Sequence, residues 1–410
     1  MRVLHVIPAV APRYGGPSRA VFEMSRALSG SGTEVLIATT NADGPGRLTV
    51  NTGETLSFQG ADTIFFPQRL SERFTYSPEL ARWLRGNAGR FDLVHIHAVF
   101  SHPCLAAARA CQRSGVPYVV RPLGSLDPWS MKQKSWRKSA LWHSSVRRLL
   151  RQAAAIHYTT KEEQRLAEST LGLERGVVIP LGIEIPEADR GVLSSSLSES
   201  VGVGNGPYVL ALSRLHPKKN LESLIQAFGA VTTGPDYSKW QLVIAGDGEG
   251  EYVARLKALA ATVGKRIVFT GWLEGAVKTD VLRNAQLVAL TSLQENFGLC
   301  VAEAFACEVP VLISDRVNLA SDVQEVNAGW VTGLGPKEIE ETLIEAMTDA
   351  PERERRGRAG REFASSHLSW TTAAGELDKL YRAILTQSQN ASSGCESLGI
   401  LRPSASKRST

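Results

Sequence analysis

Two glutamates eight positions apart, Glu295 and Glu303, have the spacing most suggestive of chemistry in this chain. The apolar run 287–291 before them predicts a buried strand, and the small and apolar residues from Leu299 onward predict a buried helix. A helix N-terminus that follows a strand and a loop presents unpaired backbone N–H groups and a positive dipole end to an anion. Glu303 would lie about 7.5 Å along the helix axis. The two carboxylates could therefore accept hydrogen bonds from hydroxyl groups at opposite ends of one ligand.

The same pair also has an ordinary interpretation. Glu295 could be an exposed loop acid or helix cap, and Glu303 could lie on a solvated helix face, which is the commoner case for an isolated pair. A glutamate inside an otherwise apolar helix that packs on a sheet needs a partner, however, because burying an unpaired charge is costly. Gly298 lets the backbone approach a ligand without a Cβ in the way. Both interpretations stay open on spacing alone.

Two basic residues, Arg214 and Lys219, follow the strand predicted at 208–213. The carboxyl ends of parallel strands share one edge of a sheet, so this loop and the loop of Glu295 should open on one cleft. A guanidinium and an ammonium there could neutralise a departing diphosphate, and the alternative is a solvated basic loop. The chain has no Asp-x-Asp, the acidic pair that usually holds Mg²⁺ on a sugar nucleotide. We therefore expect no metal ion, with charge neutralised by Arg, Lys and backbone groups.

The first half of the chain offers weaker signals. Gly15 and Gly16 follow the first predicted strand and let the backbone approach a ligand, although they do not form the dinucleotide fingerprint G-x-G-x-x-G. His95 and His97 end another predicted strand, 93–97, and strand alternation places both on one face. A packed core histidine and a functional histidine in the cleft are equally compatible with this position.

Short apolar runs alternate with amphipathic helical stretches along most of the chain, which predicts parallel sheets covered on both faces by helices. A stretch rich in glycine and serine interrupts the alternation. We therefore expect an α/β protein with two Rossmann-like, doubly wound parallel-sheet domains facing a central cleft. The expected boundaries are a first domain at 1–185, a linker at 186–206, a second domain at 207–368, a C-terminal helix at 369–386 and a disordered tail at 387–410.

Composition excludes several classes of protein. The 410 residues carry a net charge of +5, too small an excess to suggest a nucleic-acid partner. The apolar runs are too short for a membrane-spanning helix, and the N-terminal run is too short for a signal peptide. The five cysteines are scattered without zinc-ligand spacing, which is typical of a reduced, cytoplasmic protein.

Together these motifs resemble the retaining glycosyltransferases of the GT4 family, which have the GT-B architecture. The likeness covers the chain to about Leu385 and rests on Arg214 with Lys219, on the runs 244–248 and 269–273, and above all on the E-x7-E element from Glu295 to Glu303. It implies transfer of a sugar from a UDP- or GDP-linked donor to a hydroxyl of a saccharide or lipid-linked saccharide, without cofactor or metal. Cell-surface or exopolysaccharide biosynthesis is the implied setting.

The resemblance also implies roles for individual residues. The second domain would bind the donor, with Glu303 on the ribose hydroxyls, and the first domain would bind the acceptor. The implied catalytic residues are Glu295, Arg214, Lys219 and His97. The implied donor-binding residues are Gly16, Arg214, Lys219, Glu295, Asn296, Phe297, Gly298, Leu299 and Glu303. The final helix resembles the segment that crosses back to the first domain in these enzymes.

A basic and aromatic segment lies near the end of the first half. Seven basic residues and no acid lie between Lys132 and Arg151, with tryptophans among them. Such a helix can lie on an anionic membrane surface, at about 1 kcal/mol per basic residue near the lipid, which would make the protein peripheral on the inner face of the plasma membrane. A solvated helix with packed tryptophans is the equal alternative. The residues that we assign to this acceptor or membrane side are Arg121, Trp129, Lys132, Lys134, Arg137 and Lys138.

Three positions depart from the family pattern. Leu123 stands where many relatives have a histidine, Pro180-Leu181-Gly182 replaces Pro-Asn-Gly, and Glu308 stands where glycine is usual. Leu123 leaves any histidine role to His97, and Glu308 could perturb a helix end. Two rival functions therefore stay open. One is another sugar-nucleotide enzyme on the same scaffold, such as an epimerase or phosphorylase, and the other is a catalytically silent binding subunit.

Overall fold

The computed structural model of the chain describes residues 1–70, 74–132, 139–187, 201–204, 206–264 and 266–396. Each half of the chain builds one large sheet. The strands are, in chain order, Arg2–Ala9 (β1), Glu34–Thr40 (β2), Ala42–Asp43 (β3), Gly46–Arg47 (β4), Thr55–Phe58 (β5), Ala61–Phe66 (β6), Leu93–His97 (β7), Tyr118–Arg121 (β8), Ala155–Tyr158 (β9), Gly176–Val178 (β10), Tyr208–Leu212 (β11), Gln241–Ala245 (β12), Ile267–Gly271 (β13), Leu287–Leu290 (β14), Val311–Ser314 (β15) and Gly329–Thr332 (β16).

The order of the strands is that of two doubly wound domains. The first sheet runs β10-β9-β8-β7-β1-β2-β6-β5 and the second runs β13-β12-β11-β14-β15-β16, while β3 and β4 form a small separate hairpin. The pairs within both large sheets are parallel except for β5 with β6. Strand β1 lies between β7 and β2, and β11 lies between β12 and β14, so the winding direction reverses beside each first strand and leaves a crevice there. The expected α/β class with two Rossmann-like domains is confirmed.

The α-helices cover both faces of these sheets. In chain order they are Gly16–Gly30 (α1), Pro78–Asn87 (α2), His102–Ser114 (α3), Pro128–Lys132 (α4), Arg147–Arg151 (α5), Lys161–Leu171 (α6), Leu221–Val231 (α7), Gly250–Val263 (α8), Gly275–Arg283 (α9), Leu299–Ala306 (α10), Ala320–Glu325 (α11), Pro336–Thr348 (α12), Ala350–His367 (α13) and Trp370–Glu396 (α14). Short 3₁₀ or π turns occur at Pro12–Tyr14, Ala88–Arg90, Trp142–Val146, Pro217–Lys219 and Pro235–Tyr237.

Burial on both faces explains why the central strands were predictable. Every residue of β14 is buried, and its sequence is a continuous apolar run rather than an alternating pattern, as is typical of strands buried on both faces. Strands β5, β10 and β16 were not predicted from the sequence, nor was the two-residue hairpin of β3 and β4. Alternate residues of β5 are exposed, and all three residues of β10 are only partly buried, so neither carries a strong apolar signal. Strand β16 begins with Gly329, where a Cβ would lie 2.2 Å from the backbone oxygen of Val311.

The last helix, α14, returns from the second domain to the first. Leu377 and Tyr381 are fully buried in one apolar cluster with Met24 and Leu28 of α1. The helix continues to Glu396, so residues 387–396, which we assigned to a disordered tail, are helical; residues 397–410 lie outside the described part. Most of the expected linker at 186–206 also lies outside it.

The chain passes between the domains at Gly182. A Cβ on Gly182 would lie 2.3 Å from Cδ2 of Trp370, the first residue of α14, so only glycine fits against that indole. Next to it, Ile183 N donates a hydrogen bond to Leu368 O at 2.7 Å. Packing at the junction of the two domains therefore requires the glycine of the Pro180-Leu181-Gly182 segment.

Glu308 closes helix α10 in a conformation that glycine usually takes. Its φ angle is 61°, in the left-handed region. Its N–H donates to Phe305 O at 2.9 Å, and Val309 N–H donates to Ala304 O at 2.9 Å, a pattern typical of a left-handed helix terminus. The helix end is thus intact with Glu308 in place, although the side chain adds backbone strain.

Within the described ranges, no helix combines the length and the apolar character needed to cross a bilayer.

Candidate active site

The loop of Glu295 lies at the carboxyl edge of the second sheet, between β14 and α10. Leu293 N donates to Lys218 O at 2.8 Å, which joins this loop to the basic loop after β11. Glu295 N donates to Arg316 O at 3.1 Å, and Asn318 N donates to Glu295 O at 3.0 Å, which joins it to the loop after β15. Two neighbouring loops at this edge of the sheet therefore hold the loop of Glu295 in place.

Helix α10 presents an uncapped N-terminus beside this loop. Its N-cap is Gly298, at a φ of 76°, and no side chain caps the helix. The backbone N–H groups of its first turn are therefore available to a ligand, together with the positive end of the helix dipole. Phe297 is 4% exposed and packs in the core, so this residue can offer a ligand only its backbone. The sequence analysis placed the helix start at Leu299, as observed.

Glu295 forms an ion pair with Lys219. The ammonium Nζ contacts Oε2 of the carboxylate, and the two side chains are only 15% and 21% exposed for Lys219 and Glu295. Burial lowers the pKa of the neighbouring Lys218 ammonium, while the nearby Glu295 carboxylate acts to raise it. Arg214 also acts on Lys218 and is itself exposed. Lys219 and Lys218 of this loop thus lie near the first glutamate, and Arg214 lies near Lys218.

Glu303 is held by cations from both domains. Lys278 of α9 donates from Nζ to Oε1 at 2.6 Å and to Oε2 at 2.7 Å. Arg19 of α1 approaches Oε1 at 3.4 Å from the first domain. All three side chains line a cavity of 460 Å³ between the domains, together with Leu299. Its volume is within the ordinary range of small-molecule sites.

The two ion pairs lie close to the same turn of α10. Burial raises the pKa of the Cys300 thiol to about 12, and the charges of Lys219, Glu295, Glu303 and Lys278 all act on that thiol as well. Cys300 is the second residue of α10. One carboxylate therefore lies before the helix and the other lies within it, and each contacts a lysine.

Glycines of the first domain approach the loop of Glu295 and the start of α10 across the cleft. A Cβ on Gly16 would lie 2.7 Å from Cδ1 of Leu299. A Cβ on Gly124, which has a φ of 68°, would lie 2.8 Å from Cβ of Asn296. Gly124 therefore needs glycine for this close approach, whereas a side chain at Gly16 would require the end of the Leu299 side chain to move.

Side-chain hydrogen bonds also join the first domain to the loop of Glu295. Asn296 Nδ2 donates to Thr159 Oγ1 at 3.1 Å, and Gln294 Nε2 donates to Asp127 Oδ2 at 2.8 Å. The other amide atoms, Asn296 Oδ1 and Gln294 Oε1, are buried without a hydrogen-bond partner among the described residues. Buried polar atoms of this kind usually find a partner, and a bound substrate could supply one here.

His97 does not face the cleft, so the expectation that it carries a histidine role there is not supported by its position. It is fully buried, and its Nε2 lies 3.1 Å from Nδ1 of His5. His95 stacks on His97 at 4.4 Å between ring centroids, and its Nδ1 lies 2.7 Å from the hydroxyl of Tyr381 in α14. Strand alternation put both histidines on one face as expected, but α14 covers that face.

A buried imidazole cluster results. Burial, with the charge of Arg121, lowers the pKa of His5 and of His157 to about 3, and burial also lowers the pKa of His95 and His97. Nitrogens of His5, His95 and His97 lie within 4.8 Å of one another, close enough to share a metal ion. The Arg121 guanidinium in the same cluster opposes a cation there, so the imidazoles are better explained as neutral packing groups.

The residues that we assigned to the acceptor or membrane side are either buried or outside the described part of the chain. Arg121 ends β8 and is 2% exposed, so it is buried rather than on an open surface. Trp129 and Lys132 belong to α4, but their side chains lie outside the described part, as do Lys134, Arg137 and Lys138 entirely. The membrane-surface assignment of this segment stays a prediction.

Several residues that shape the cleft were missed in the sequence analysis. Lys278 has no local motif and is identified only because α9 packs beside α10. Asp127, Thr159 and Gln294 are ordinary polar residues whose role depends on how the two domains meet. Lys218 stands beside Lys219 in the basic loop, and this adjacency was the one signal that could have identified it.

Comparisons with known proteins agree with this geometry. The family model described as "Glycosyl transferases group 1" matches residues 197–363, which include both ion pairs. The model described as "Glycosyl transferase 4-like domain" matches residues 15–182, which form most of the first domain. Between them the two models leave out residues 1–14, 183–196 and 364–410. The chain belongs to the group 1 glycosyltransferases.

Relatives of this glycosyltransferase align along most of its length. The D-inositol 3-phosphate glycosyltransferase of Xylanimonas cellulosilytica is 28% identical and covers 90% of this chain and 91% of that protein. The phosphatidyl-myo-inositol mannosyltransferase of Mycobacterium leprae is 25% identical and covers 77% of this chain and 80% of that protein. A GDP-mannose-dependent monoacylated alpha-(1-6)-phosphatidylinositol monomannoside mannosyltransferase of Corynebacterium glutamicum is 25% identical, over 68% and 73% of the two chains.

Solved structures share the fold of this glycosyltransferase. The crystal structure of Anabaena HepE in complex with UDP and glucose superimposes with a TM-score of 0.73 at 21% identity, covering 93% of this chain and all of that one (100%). Sucrose-phosphate synthase from Thermosynechococcus elongatus gives a TM-score of 0.73 at 18% identity, covering 94% and 99%. These structures confirm the GT-B architecture predicted from the sequence. The two family models confirm the predicted glycosyltransferase activity. The comparisons give no support to an epimerase, a phosphorylase or a catalytically silent subunit.

Proposed function

We propose that this glycosyltransferase moves a hexosyl group from a nucleoside diphosphate sugar to a hydroxyl of a saccharide or glycolipid acceptor, with retention at the anomeric carbon. A UDP-sugar is the first choice of donor and a GDP-sugar the second. The observation that carries the proposal is the pair of carboxylate–lysine contacts, Glu295 with Lys219 and Glu303 with Lys278, on either side of the uncapped N-terminus of α10.

In this proposal the donor lies along the start of α10. The ribose hydroxyls bind Glu303, which lines the cavity, and the diphosphate lies against the backbone N–H groups of 296–299. Lys219 and Arg214 stabilise the negative charge that develops on the leaving diphosphate. Glu295 orients the donor sugar by accepting hydrogen bonds from its hydroxyls. Gly16 admits the backbone of the first domain close to Leu299 over the donor.

The proposed reaction balances without an external base. The bond from the anomeric carbon to the diphosphate oxygen breaks, and a bond from the acceptor oxygen forms on the same face of the sugar. The departing phosphate oxygen takes the proton of the acceptor hydroxyl. The protein contributes orientation, charge stabilisation and exclusion of water by contact between the domains. We propose that no metal ion takes part, since cations and backbone donors already face the diphosphate position.

The printed names of the relatives support the donor and acceptor classes. One solved neighbour holds UDP and glucose, and one relative is described as GDP-mannose-dependent. Three relatives are named for acceptors that contain inositol and a phosphate group. We propose that the protein acts in the cytoplasm, at the inner face of the membrane, through the basic segment that includes Lys132 and Arg151. Anionic vesicles at low salt should then retain the protein, and neutral vesicles should not.

A nucleotide-sugar screen tests the proposed function. The full chain is incubated with UDP-glucose, UDP-galactose, UDP-N-acetylglucosamine or GDP-mannose, and unfolding temperature and nucleotide release are measured with and without saccharide acceptors. A ligand at 100 times its dissociation constant adds about 2.7 kcal/mol to stability, which is easily detected. Acceptor-dependent release with EDTA present is the expected result. Donor isomerisation without an acceptor, or no shift with any nucleotide, would contradict the proposal.

A further inference from the structure

The two residues beside Glu295 in the sequence are both held by the first domain. Gln294 Nε2 donates to Asp127 Oδ2 at 2.8 Å, and Asn296 Nδ2 donates to Thr159 Oγ1 at 3.1 Å. Gln294, Asp127 and Thr159 are all buried, with exposed fractions of 7%, 6% and 1%. Hydrogen bonds in such a buried place restrict the orientation of the groups that they join, so these two contacts help to define the position of the segment that contains Glu295.

The contact with Thr159 is organised by Glu163 of α6. Oε2 of Glu163 accepts from both the N–H and the hydroxyl of Thr159, at 2.8 Å each. Because this hydroxyl donates to Glu163, its oxygen lone pairs are left to accept from Asn296. Oε1 of Glu163 accepts from Gly124 N at 2.9 Å, and a Cβ on Gly124 would lie 2.8 Å from Cβ of Asn296. Glu163 thus holds two groups of the first domain that approach Asn296.

Asp127 also lies near the basic loop of the second domain. Burial lowers the pKa of the Lys218 ammonium, and the carboxylates of Glu295 and Asp127 both act to raise it. Lys218 O accepts from Leu293 N at 2.8 Å, in the loop of Glu295. Asp127 therefore lies near the junction of the two loops that carry Glu295 and Lys219, although it belongs to the other domain.

The other contacts of Glu295 lie within the second domain. Its carboxylate contacts Lys219, and its backbone N–H and C=O are bonded to Arg316 and Asn318. These contacts do not depend on the first domain, whereas those of Gln294 and Asn296 exist only where the two domains touch. The orientation of Glu295 can therefore respond to the position of the first domain.

We propose that Asp127 and Thr159 are positioning residues, which hold Glu295 in the orientation needed for sugar transfer while the two domains are in contact. The inference rests on the proposed function, in which Glu295 orients the donor sugar. Asp127 and Thr159 act through the sequence neighbours of Glu295 rather than on the donor. The groups that we assign to the nucleotide, in contrast, belong to the second domain. A misplacement of about 1 Å in a reacting constellation can lower the rate about 100-fold.

Steady-state kinetics of the full chain test this inference. Release of UDP from UDP-glucose, or of GDP from GDP-mannose, is measured with a saccharide acceptor. Asp127→Ala and Thr159→Val should each lower kcat about 100-fold. The calorimetric affinity for the nucleotide alone should stay within about threefold of wild type, since no sugar is present for Glu295 to hold. Asp62→Ala changes an exposed aspartate of the same domain and should behave as wild type. A wild-type kcat in both Asp127→Ala and Thr159→Val would overturn the inference.

An exchange of the two side-chain groups separates positioning from a purely structural role. Gln294→Glu alone sets two carboxylates against each other and should lower kcat. Asp127→Asn combined with Gln294→Glu restores one amide donor and one carboxylate acceptor, and should recover about tenfold or more of the lost kcat. A residue needed only for folding would change the unfolding temperature without this recovery. If Asp127→Ala does not fold, the exchange still decides the question, because no recovery of kcat would overturn the role of Asp127.

Solution scattering separates this inference from the proposed function, because it needs no substrate. Asp127→Ala should increase the radius of gyration of the unliganded protein, since the domains lose a contact, and Asp62→Ala should not. If wild type releases no nucleotide from either donor, the proposed function fails. An unchanged radius of gyration in Asp127→Ala would then overturn this inference as well, whereas an increased radius would support the contact as one that holds the domains together.

Discussion

Lys278 Nζ lies 2.6 and 2.7 Å from the two carboxylate oxygens of Glu303. Both side chains are about one-fifth exposed, at 21% and 20%, and both line the cavity between the domains. A cation that contacts both oxygens of a carboxylate restricts the orientation of that carboxylate. Its remaining lone pairs stay available to hydroxyl groups. Lys278 is therefore a positioning residue for the glutamate that we assign to the ribose.

Replacing Lys278 tests that relationship. Lys278→Met should weaken UDP binding about tenfold, because Glu303 loses the charge-assisted contact that orients it. Pyrophosphate, which has no ribose, should bind the variant as it binds wild type. Calorimetry with both ligands gives the comparison, and Lys239→Met, an exposed lysine of the same domain, is the control. Equal losses for UDP and pyrophosphate would instead place Lys278 on the diphosphate.

The pair Lys219 and Glu295 should govern turnover rather than folding. Glu295→Gln and Lys219→Ala should each lower sugar transfer by orders of magnitude, because both groups face the reacting end of the proposed donor site. Each variant leaves a mostly buried charged group without its ionic partner, so the unfolding temperature should fall somewhat, but both proteins should still fold. Rates of nucleotide release at saturating donor, with Glu251→Gln as an exposed control, check this expectation. Wild-type rates in both variants would refute the assignment of the site.

Local signals made the donor-side loop predictable from the sequence. The strand before Glu295 and the helix from Leu299 have strong apolar patterns, and the E-x7-E spacing is contained in one short segment. His97 shows the limit of such signals. Strand alternation fixed its face correctly, but helix α14, almost three hundred residues later, covers that face with Tyr381. No pattern near His97 carries that information.

Contacts between the two domains could not be predicted from local sequence patterns either. Arg19 and Glu303 lie far apart in sequence and meet only because the domains face each other at α1 and α10. Asp127 with Gln294 is a second case of this kind. Their partners depend on the relative position of two folded units, which composition and periodicity do not encode.

The backbone conformation of Glu308 should lower the stability of the folded protein, and a substitution should remove this effect. Its φ of 61° is unfavourable for a residue with a Cβ by about 1–2 kcal/mol. Glu308→Gly should therefore be more stable than Glu308→Ala by about 1 kcal/mol or more, because only glycine adopts this conformation freely. The comparison with alanine removes the contribution of the glutamate side chain from both variants. Urea unfolding of the two proteins measures the difference, and equal stabilities would show that the helix end relaxes instead.

The buried histidines should make the protein sensitive to mild acid. The pKa values of His5 and His157 are lowered to about 3, chiefly by burial, and those of His95 and His97 are lowered as well. In the unfolded chain a histidine has a pKa of about 6.5. Below that pH these histidines bind protons in the unfolded state but stay unprotonated in the folded state. Stability is then fully present above about pH 6.5 and is lost as the pH falls toward 3.

A single histidine variant measures this effect. Each such histidine contributes about 1.4 kcal/mol per pH unit to the slope of the unfolding free energy between pH 6 and 5. His157→Gln, which can keep the hydrogen bond to Ile179 O, should therefore reduce the slope by about that amount. The slope of the unfolding free energy against pH is measured by urea unfolding at about pH 7.5, 6.5, 5.5 and 5.0, which span the pKa of an unfolded histidine. His143→Gln changes an exposed histidine and should leave the slope as in wild type. An identical slope in His157→Gln would mean that the cluster takes up protons while folded.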